Sequence, residues 1–188
     1  MSNLKELTQD HHSNAERQSF VKVLMSGKIN PKLYATYLWN QHKKYDLLEA
    51  MASLNGLFDD LPNIRRKMKI EADFLELWSE DEVPVLVPST EEYIQHMRTI
   101  MHDSEKLMAH VYTLHSGDLS GGQMIARKAP GSGTMYQFEG DTDALKAAIK
   151  AKTTDAMADE TKYVFESAAN LFKELMELDI EHYMEQTD

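Results

Sequence analysis

The hydrophobic pattern along the chain is helical almost throughout. Leu4, Leu7, Thr8, His11 and Ala15 share one face of a helix predicted over 4–17. Asn30 before Pro31 is an N-cap with proline at the first helical position. From there Tyr34, Tyr37, Leu38, Gln41, Tyr45, Leu48 and Ala52 trace one stripe of a long helix ending near Asn55-Gly56. Pro62 opens a further helix carrying Ile64, Met68, Leu75 and Trp78, and the proline-bearing stretch 79–88 is a connecting loop. Ser89 and Glu92 are spaced as a capping box, behind which Tyr93, Met97 and Ile100 face inward. After a loop at Pro130-Gly131-Ser132-Gly133 and a short apolar segment over 135–138, helices over 142–152 and from 155 to about 183 close the chain. Pro84 interrupts the only β-like run, 83–87, so nothing reads as a sheet. With no repeat, low-complexity tract or domain boundary, the expectation is one all-α domain over 1–188.

One helix breaks the pattern. Leu107, Met108, Val111 and Tyr112 recur at helical spacing and 123–128 are again good helix formers, yet Gly117, Gly121 and Gly122 lie between. Each glycine costs ~1 kcal/mol against alanine inside a helix. Gly117 and Gly121 are four apart, so they fall on one face and leave the backbone bare. A flat, bulky ligand can lie against such a strip, the helix kinking at Ser120-Gly121-Gly122, with Asp118 and Ser120 placed to hold water beside it. Spacing alone also fits a loop with an Asp or Ser N-cap and flexible glycines. A phosphate loop is disfavoured, because no Lys follows the last glycines and a helix rather than a strand precedes them.

Composition narrows the chemistry. The 188 residues include no Cys, which removes disulfides, thiolate metal sites, cysteine nucleophiles and a Cys-ligated heme together. A net charge of −11 argues against nucleic acid as a partner. No apolar run approaches the ~20 residues that span a bilayer and no signal peptide precedes Leu4, so a cytoplasmic protein with no membrane partner is expected. Twelve Met suit an interior that adapts to a large apolar ligand.

Near the N-terminus, His12 and Glu16 are four apart, so the carboxylate can hold one imidazole nitrogen while the other binds a metal. His11 is a rival, since the apolar stripe points at it more directly. A histidine near an apolar face is more often a packed, hydrogen-bonded residue than a ligand.

The words themselves are more specific than the spacing. Gly117-Asp118-Leu119-Ser120-Gly121-Gly122-Gln123, preceded by Ala109-His110, Tyr112 and Thr113, closely resembles the distal-helix signature of the heme oxygenases. Thr8, His12, Ala15 and Glu16 match that family's proximal pattern, and Lys5 matches a basic residue that contacts a heme propionate. The resemblance implies a helical bundle gripping heme between a proximal N-terminal helix and a kinked, glycine-rich distal helix. It implies His12 as the axial iron ligand, Glu16 as its orienting partner, and His11 as a neighbour without that role. Tyr45 and Glu49 look like the family's tyrosine and acidic residue on the second long helix. Tyr112 matches a tyrosine near the propionates, Phe165 and Phe172 resemble heme-wall aromatics, and Lys146 and Lys150 align with a propionate-binding basic pair across a gap. Without the resemblance, Lys146 and Lys150 are simply an exposed i, i+4 row.

The resemblance implies a function as well as a fold. Heme b is both cofactor and substrate and is opened to biliverdin, with the IX-alpha isomer expected, plus CO and iron. Gly117 and Gly121 steer oxygen toward the macrocycle's edge, and Asp118, supported by Ser120, delivers protons through ordered water. The family holds no flavin or iron–sulfur cluster, so ferredoxin or another reductase supplies electrons, and a downstream bilin reductase is a further implied partner. Lys22, Lys28, Lys43, Lys44 and the cluster 65–69 are the basic residues available to steer an acidic donor. One departure matters: Leu114-His115-Ser116 replaces the family's common Arg-Tyr-Leu, which bears on heme seating and on the isomer formed. His115 is a second residue that either meets the heme side or packs in the bundle. A heme-storage bundle without turnover is the alternative. A di-iron bundle is excluded, because none of the eight His has Glu three positions before it.

Overall fold

The computed structural model describes residues 1–178, and among them it is all-α, without a strand. The predicted first helix is two pieces, α1 (Leu4–Leu7) and α2 (Gln9–Glu16). They part at Thr8, whose hydroxyl donates to the Leu4 carbonyl at 2.8 Å and competes with the helical ladder. A short α3 (Ser19–Met25), not anticipated from the sequence, buries Phe20 and Leu24.

The long helix α4 (Pro31–Leu54) is the centre of the bundle, and every residue of the predicted stripe from Tyr34 to Ala52 is buried. Its cap is as expected: Asn30 Oδ1 accepts from Lys32 N at 2.8 Å. α5 (Lys67–Leu77) begins five residues after Pro62, not at it. Asn63 sits at φ 62, which no helix tolerates, and the Glu49 carboxylate from α4 accepts from Arg66 N at 2.5 Å and Lys67 N at 3.2 Å. That carboxylate supplies the N-terminal cap and fixes where the helix starts. The inward face of α5 is Ile70 and Phe74; Met68 and Leu75, expected inside, are 70% and 65% exposed.

Pro88 occupies the first turn of α6 (Pro88–Thr99), so Ser89 is inside the helix and the capping box does not form. Instead Ser89 N and Oγ both donate to Glu174. α7 (Ser104–Ser120), capped by Asp103, and α8 (Gly122–Ala126) are the glycine-bearing pair, broken between Ser120 and Gly122 as the sequence suggested. A 3-10 turn (Thr134–Tyr136), α9 (Thr142–Ala151), a second turn (Asp155–Met157) and α10 (Ala158–Leu178) complete the fold. The expected continuation of the last helix to 183 lies outside the described residues.

The apolar interior forms two clusters. One joins Leu48 and Met51 of α4 to α6, α7 and α9; the other joins Tyr34 and Leu38 of α4 to Phe20, Ile70, Phe74 and Leu171. Leu114 on α7 packs against both. Each fully buried leucine such as Leu48 contributes roughly 2 kcal/mol of transfer free energy. α2 and α7 both pack on α10, which fixes the N-terminal and glycine-bearing helices relative to one another.

Candidate functional site

The three glycines of the distal stretch have different reasons to be glycine. A methyl group added at Gly117 would meet nothing within 4 Å, although the residue lies inside a continuous helix. At Gly121 it would meet only the Gly117 carbonyl, at 3.6 Å. These two positions form the bare strip expected from their spacing, and a flat macrocycle can lie against main chain there. Gly122 belongs elsewhere: a methyl there would sit 2.3 Å from the Tyr136 ring. It permits α8 to close onto the Thr134–Tyr136 turn, where Gln123 Nε2 donates to the Tyr136 carbonyl at 2.7 Å. Ser120 is exposed at the end of α7, and no hydrogen bond joins its side chain to Asp118 among the described residues.

Beside the strip, Asp118 accepts from the Tyr45 hydroxyl at 2.5 Å. Burial pushes its carboxyl up to about 6, against the pull of the Tyr45 hydrogen bond, His115 and Arg66. A carboxyl poised there exchanges protons near neutral pH. Burial and the Asp118 charge also hold the Tyr37 and Tyr45 phenols well above their ordinary range. Gln41 Nε2 donates to Tyr37 at 3.1 Å, while Gln41 Oε1 is buried without a protein partner and the buried Tyr34 hydroxyl faces Tyr136. Buried polar atoms of this kind are where ordered water makes up the deficit. The predicted stripe of α4 therefore does two jobs, and the second was not legible from its hydrophobicity: Tyr34, Tyr37, Gln41 and Tyr45 line the approach to Asp118.

The departure at Leu114-His115-Ser116 resolves as packing. His115 is fully buried, its Nε2 is 3.4 Å from Glu49 Oε1, and its ring lies 5.1 Å from Tyr45 and 5.8 Å from Phe58. Of the two roles open to it, His115 packs in the bundle.

On the proximal side, His12 Nε2 is 3.0 Å from Glu16 Oε1 across one helical turn. The His12 ring stacks on Phe165 of α10 at 5.1 Å, with its side chain 41% exposed. An imidazole fixed at one nitrogen and open on one side is fit to hold an iron porphyrin. His11 is tied instead to Glu166, at 3.0 Å.

Residues 1–178 match the family model described as heme oxygenase. The chain belongs to the heme oxygenase family. It is 33% identical to a heme oxygenase of Porphyra purpurea over 140 residues, covering 69% of this chain and 58% of that one. With heme oxygenase 1 of Nostoc it shares 29% identity, covering 89% of this chain and 82% of the relative. Against the relatives from Porphyra and Pyropia the match spans less than two thirds of their length, 58% and 65%. Among solved structures, heme oxygenase-1 of Synechocystis in complex with heme superposes with a TM-score of 0.82 at 25% identity, covering 95% of this chain and 92% of that one. Heme oxygenase of Leptospira interrogans gives 0.77 at 27%, covering 91% and 97%.

The remaining predicted residues lie on several helices. Lys5 is exposed on α1, Tyr112 is half-buried on α7, and Lys150 is exposed on α9. Lys146 lines a cavity of about 480 Å³ with Leu119, Gln123, Tyr136 and Phe138, and its ammonium is 4.0 Å from Asp143. Phe172 does not stand beside His12 as Phe165 does; it stacks on Phe20 at 5.3 Å within the second apolar cluster.

The basic patch is smaller than the sequence suggested. Lys44 is 1% exposed, with its ammonium over the Tyr93 ring at 4.7 Å, and burial lowers its pKa to about 8. Arg66 is equally buried and donates to four backbone carbonyls, those of Asn63, Ile64, Met135 and Gln137. Lys67 pairs with Asp46 at 2.7 Å and Lys69 donates to the Gln137 carbonyl. A run of five basic or flanking residues gives no hint that its second arginine is a core staple. Lys22, Lys28 and Arg65 remain exposed.

Among the described residues no helix is long and apolar enough to cross a membrane.

Proposed function

We propose that this chain opens heme to biliverdin, releasing CO and ferrous iron, with heme serving as both cofactor and substrate. When bound, heme supplies the redox-active iron and the ring that is opened. His12 would hold the heme iron; Glu16 orients its imidazole and keeps it electron-rich, and Phe165 restricts its rotation. Gly117 and Gly121 let the distal backbone approach the ring closely and exclude bulk there. Asp118 holds and passes protons, its carboxyl anchored by Tyr45 and its supply line lined by Tyr34, Tyr37 and Gln41. Lys5, Tyr112, Lys146 and Lys150 would hold the propionates, and Phe172, stacked on Phe20, would back the pocket wall from the second apolar cluster.

The observation that carries this is the pairing at 117–118: open backbone in mid-helix beside a half-buried carboxyl, held by the Tyr45 hydroxyl, whose pKa is raised to about 6. Incubation with hemin, ferredoxin, its reductase and NADPH, followed by chromatography of the pigment, tests it. A bilin product, expected as the IX-alpha isomer, is the predicted result. Heme that stays intact under donor and oxygen refutes turnover and leaves a binding protein. Replacing Asp118 with Ala keeps heme bound and abolishes the bilin; unchanged yield removes the proton path.

The electron donor is an acidic protein of ferredoxin type, and a bilin reductase consumes the product. The docking face centres on Lys22 and Lys28, both exposed, with Lys128 adjoining Gly27. Charge reversal at Lys22 and Lys28 raises the KM for ferredoxin most at low salt. The same turnover at every ionic strength would remove that face. The chain acts in the cytoplasm, where such donors and NADPH are found.

A further inference from the structure

Away from the glycine strip, three helices bring together a second set of ligating atoms. His96 of α6 and His110 of α7 both direct Nε2 at one oxygen of Glu160 on α10. His110 Nε2 is 2.7 Å from Glu160 Oε1, His96 Nε2 meets the same oxygen, and one donor atom from each of the three residues falls within 4.8 Å of the others. The second nitrogen of His110 is also engaged, its Nδ1 lying 2.7 Å from the Tyr93 hydroxyl. That hydroxyl fixes the ring and leaves Nε2 as the outward-facing nitrogen, the arrangement metal-bound histidines use. The His96 ring is clamped on Tyr163, with centroids 4.0 Å apart.

Burial keeps the His110 imidazole neutral, with its pKa lowered despite Glu160. For Glu160, burial pushes the carboxyl up, but hydrogen bonds from His110 and His96 outweigh it and hold the pKa below its ordinary value. Neutral imidazole and ionised carboxylate are the protonation states that ligate metal. The cluster is graded in exposure: the His110 side chain is 0% exposed, Glu160 11% and His96 27%. It therefore has one open side.

We propose that His96, His110 and Glu160 form a binding site for a divalent late first-row transition ion, with Zn²⁺ as its natural probe. Two imidazoles and one carboxylate with an open fourth position suit such an ion, whose bonds of about 2.0–2.2 Å set ligand separations near 3.3 Å. The 2.7 Å His110–Glu160 contact must open by several tenths of an ångström, which the partly exposed His96 and Glu160 can accommodate. A buried cation opposes the ion: Lys44 stands over the Tyr93 ring that holds His110. The site adjoins the glycine strip along the distal helix, since His110 and Gly117 lie seven residues apart on one face of α7. An ion there ties the N-terminal half of α7 to α6 and α10.

The test is titration of the heme-free chain with Zn²⁺ in competition with a chromophoric chelator. The expected result is one equivalent bound below micromolar dissociation constant, absent in both His96→Ala and Glu160→Gln and weakened roughly 10- to 100-fold in Tyr93→Phe. His11→Ala and His12→Ala should leave that equivalent intact. His96 is partly exposed and Glu160→Gln keeps the shape, so folded variants are in hand even if His110 substitutions do not fold. No Zn²⁺ bound by the parent at micromolar concentration, or a site that survives His96→Ala, overturns the proposal.

Discussion

Gly117 and Gly122 lie five residues apart in one motif, and alanine should have opposite effects at them. At Gly117 the added methyl meets no atom within 4 Å, so nothing offsets the helix-propensity gain of alanine over glycine. That gain is about 1 kcal/mol, which in a chain of this size raises Tm by about 2–4 °C. At Gly122 the methyl would lie 2.3 Å from the Tyr136 ring, which is fully packed in the core. Overpacking of that kind costs ~1–3 kcal/mol and more than cancels the same gain. Thermal unfolding of the heme-free variants should therefore show Gly117→Ala melting above the parent and Gly122→Ala melting below it. The hemin-loaded samples reverse the first of these: Gly117→Ala gains less from hemin than the parent does, because the methyl now stands between backbone and ring. If Gly117→Ala melts lower without heme, the space beside it is not open; if it gains as much from hemin as the parent, the position does not face a ligand.

Other expectations rest on the same geometry. The folded carboxyl of Asp118 titrates near 6 against an ordinary 3.8, so its ionised form costs stability above that range and the cost fades as pH falls toward 4. Asp118→Asn should accordingly stabilise the heme-free protein at pH 8 and not at pH 4, as read by urea titration at the two values. Arg66→Met leaves four backbone carbonyls without their donor and should cost ~3 kcal/mol or more, lowering the urea midpoint by about 1 M. His12→Ala should lose the imidazole-ligated heme spectrum while His11→Ala keeps it; the reverse outcome in absorption spectra would exchange their roles.

Much of the bundle could be read from the chain. α4 was legible end to end, because an Asn-Pro start, an Asn-Gly finish and seven buried stripe positions all agree. The start of α5 was not, since its cap is Glu49 from another helix, a contact no local pattern encodes. The same holds for Ser89, whose partner Glu174 lies on α10 and cancels the capping box. α3 was missed because seven residues leave little periodicity to read. In the site, Gly117, Gly121 and the His12–Glu16 pair came from spacing and wording. The role of Gly122 depends on Tyr136, fourteen positions on; on α4 only Tyr45 stood out in the sequence, because the hydrophobic stripe alone does not separate Tyr34 and Tyr37 from core residues.

The shared carboxylate of Glu49 carries a consequence for how this chain can change. It satisfies the free amides that open one helix, at Arg66 and Lys67, and at the same time faces His115, so positions 49 and 115 are energetically one unit. A tyrosine at 115 would remove the imidazole that faces this carboxylate while leaving its two amide contacts in place, so the effects of changing Glu49 and His115 together should fall short of the sum of the two alone.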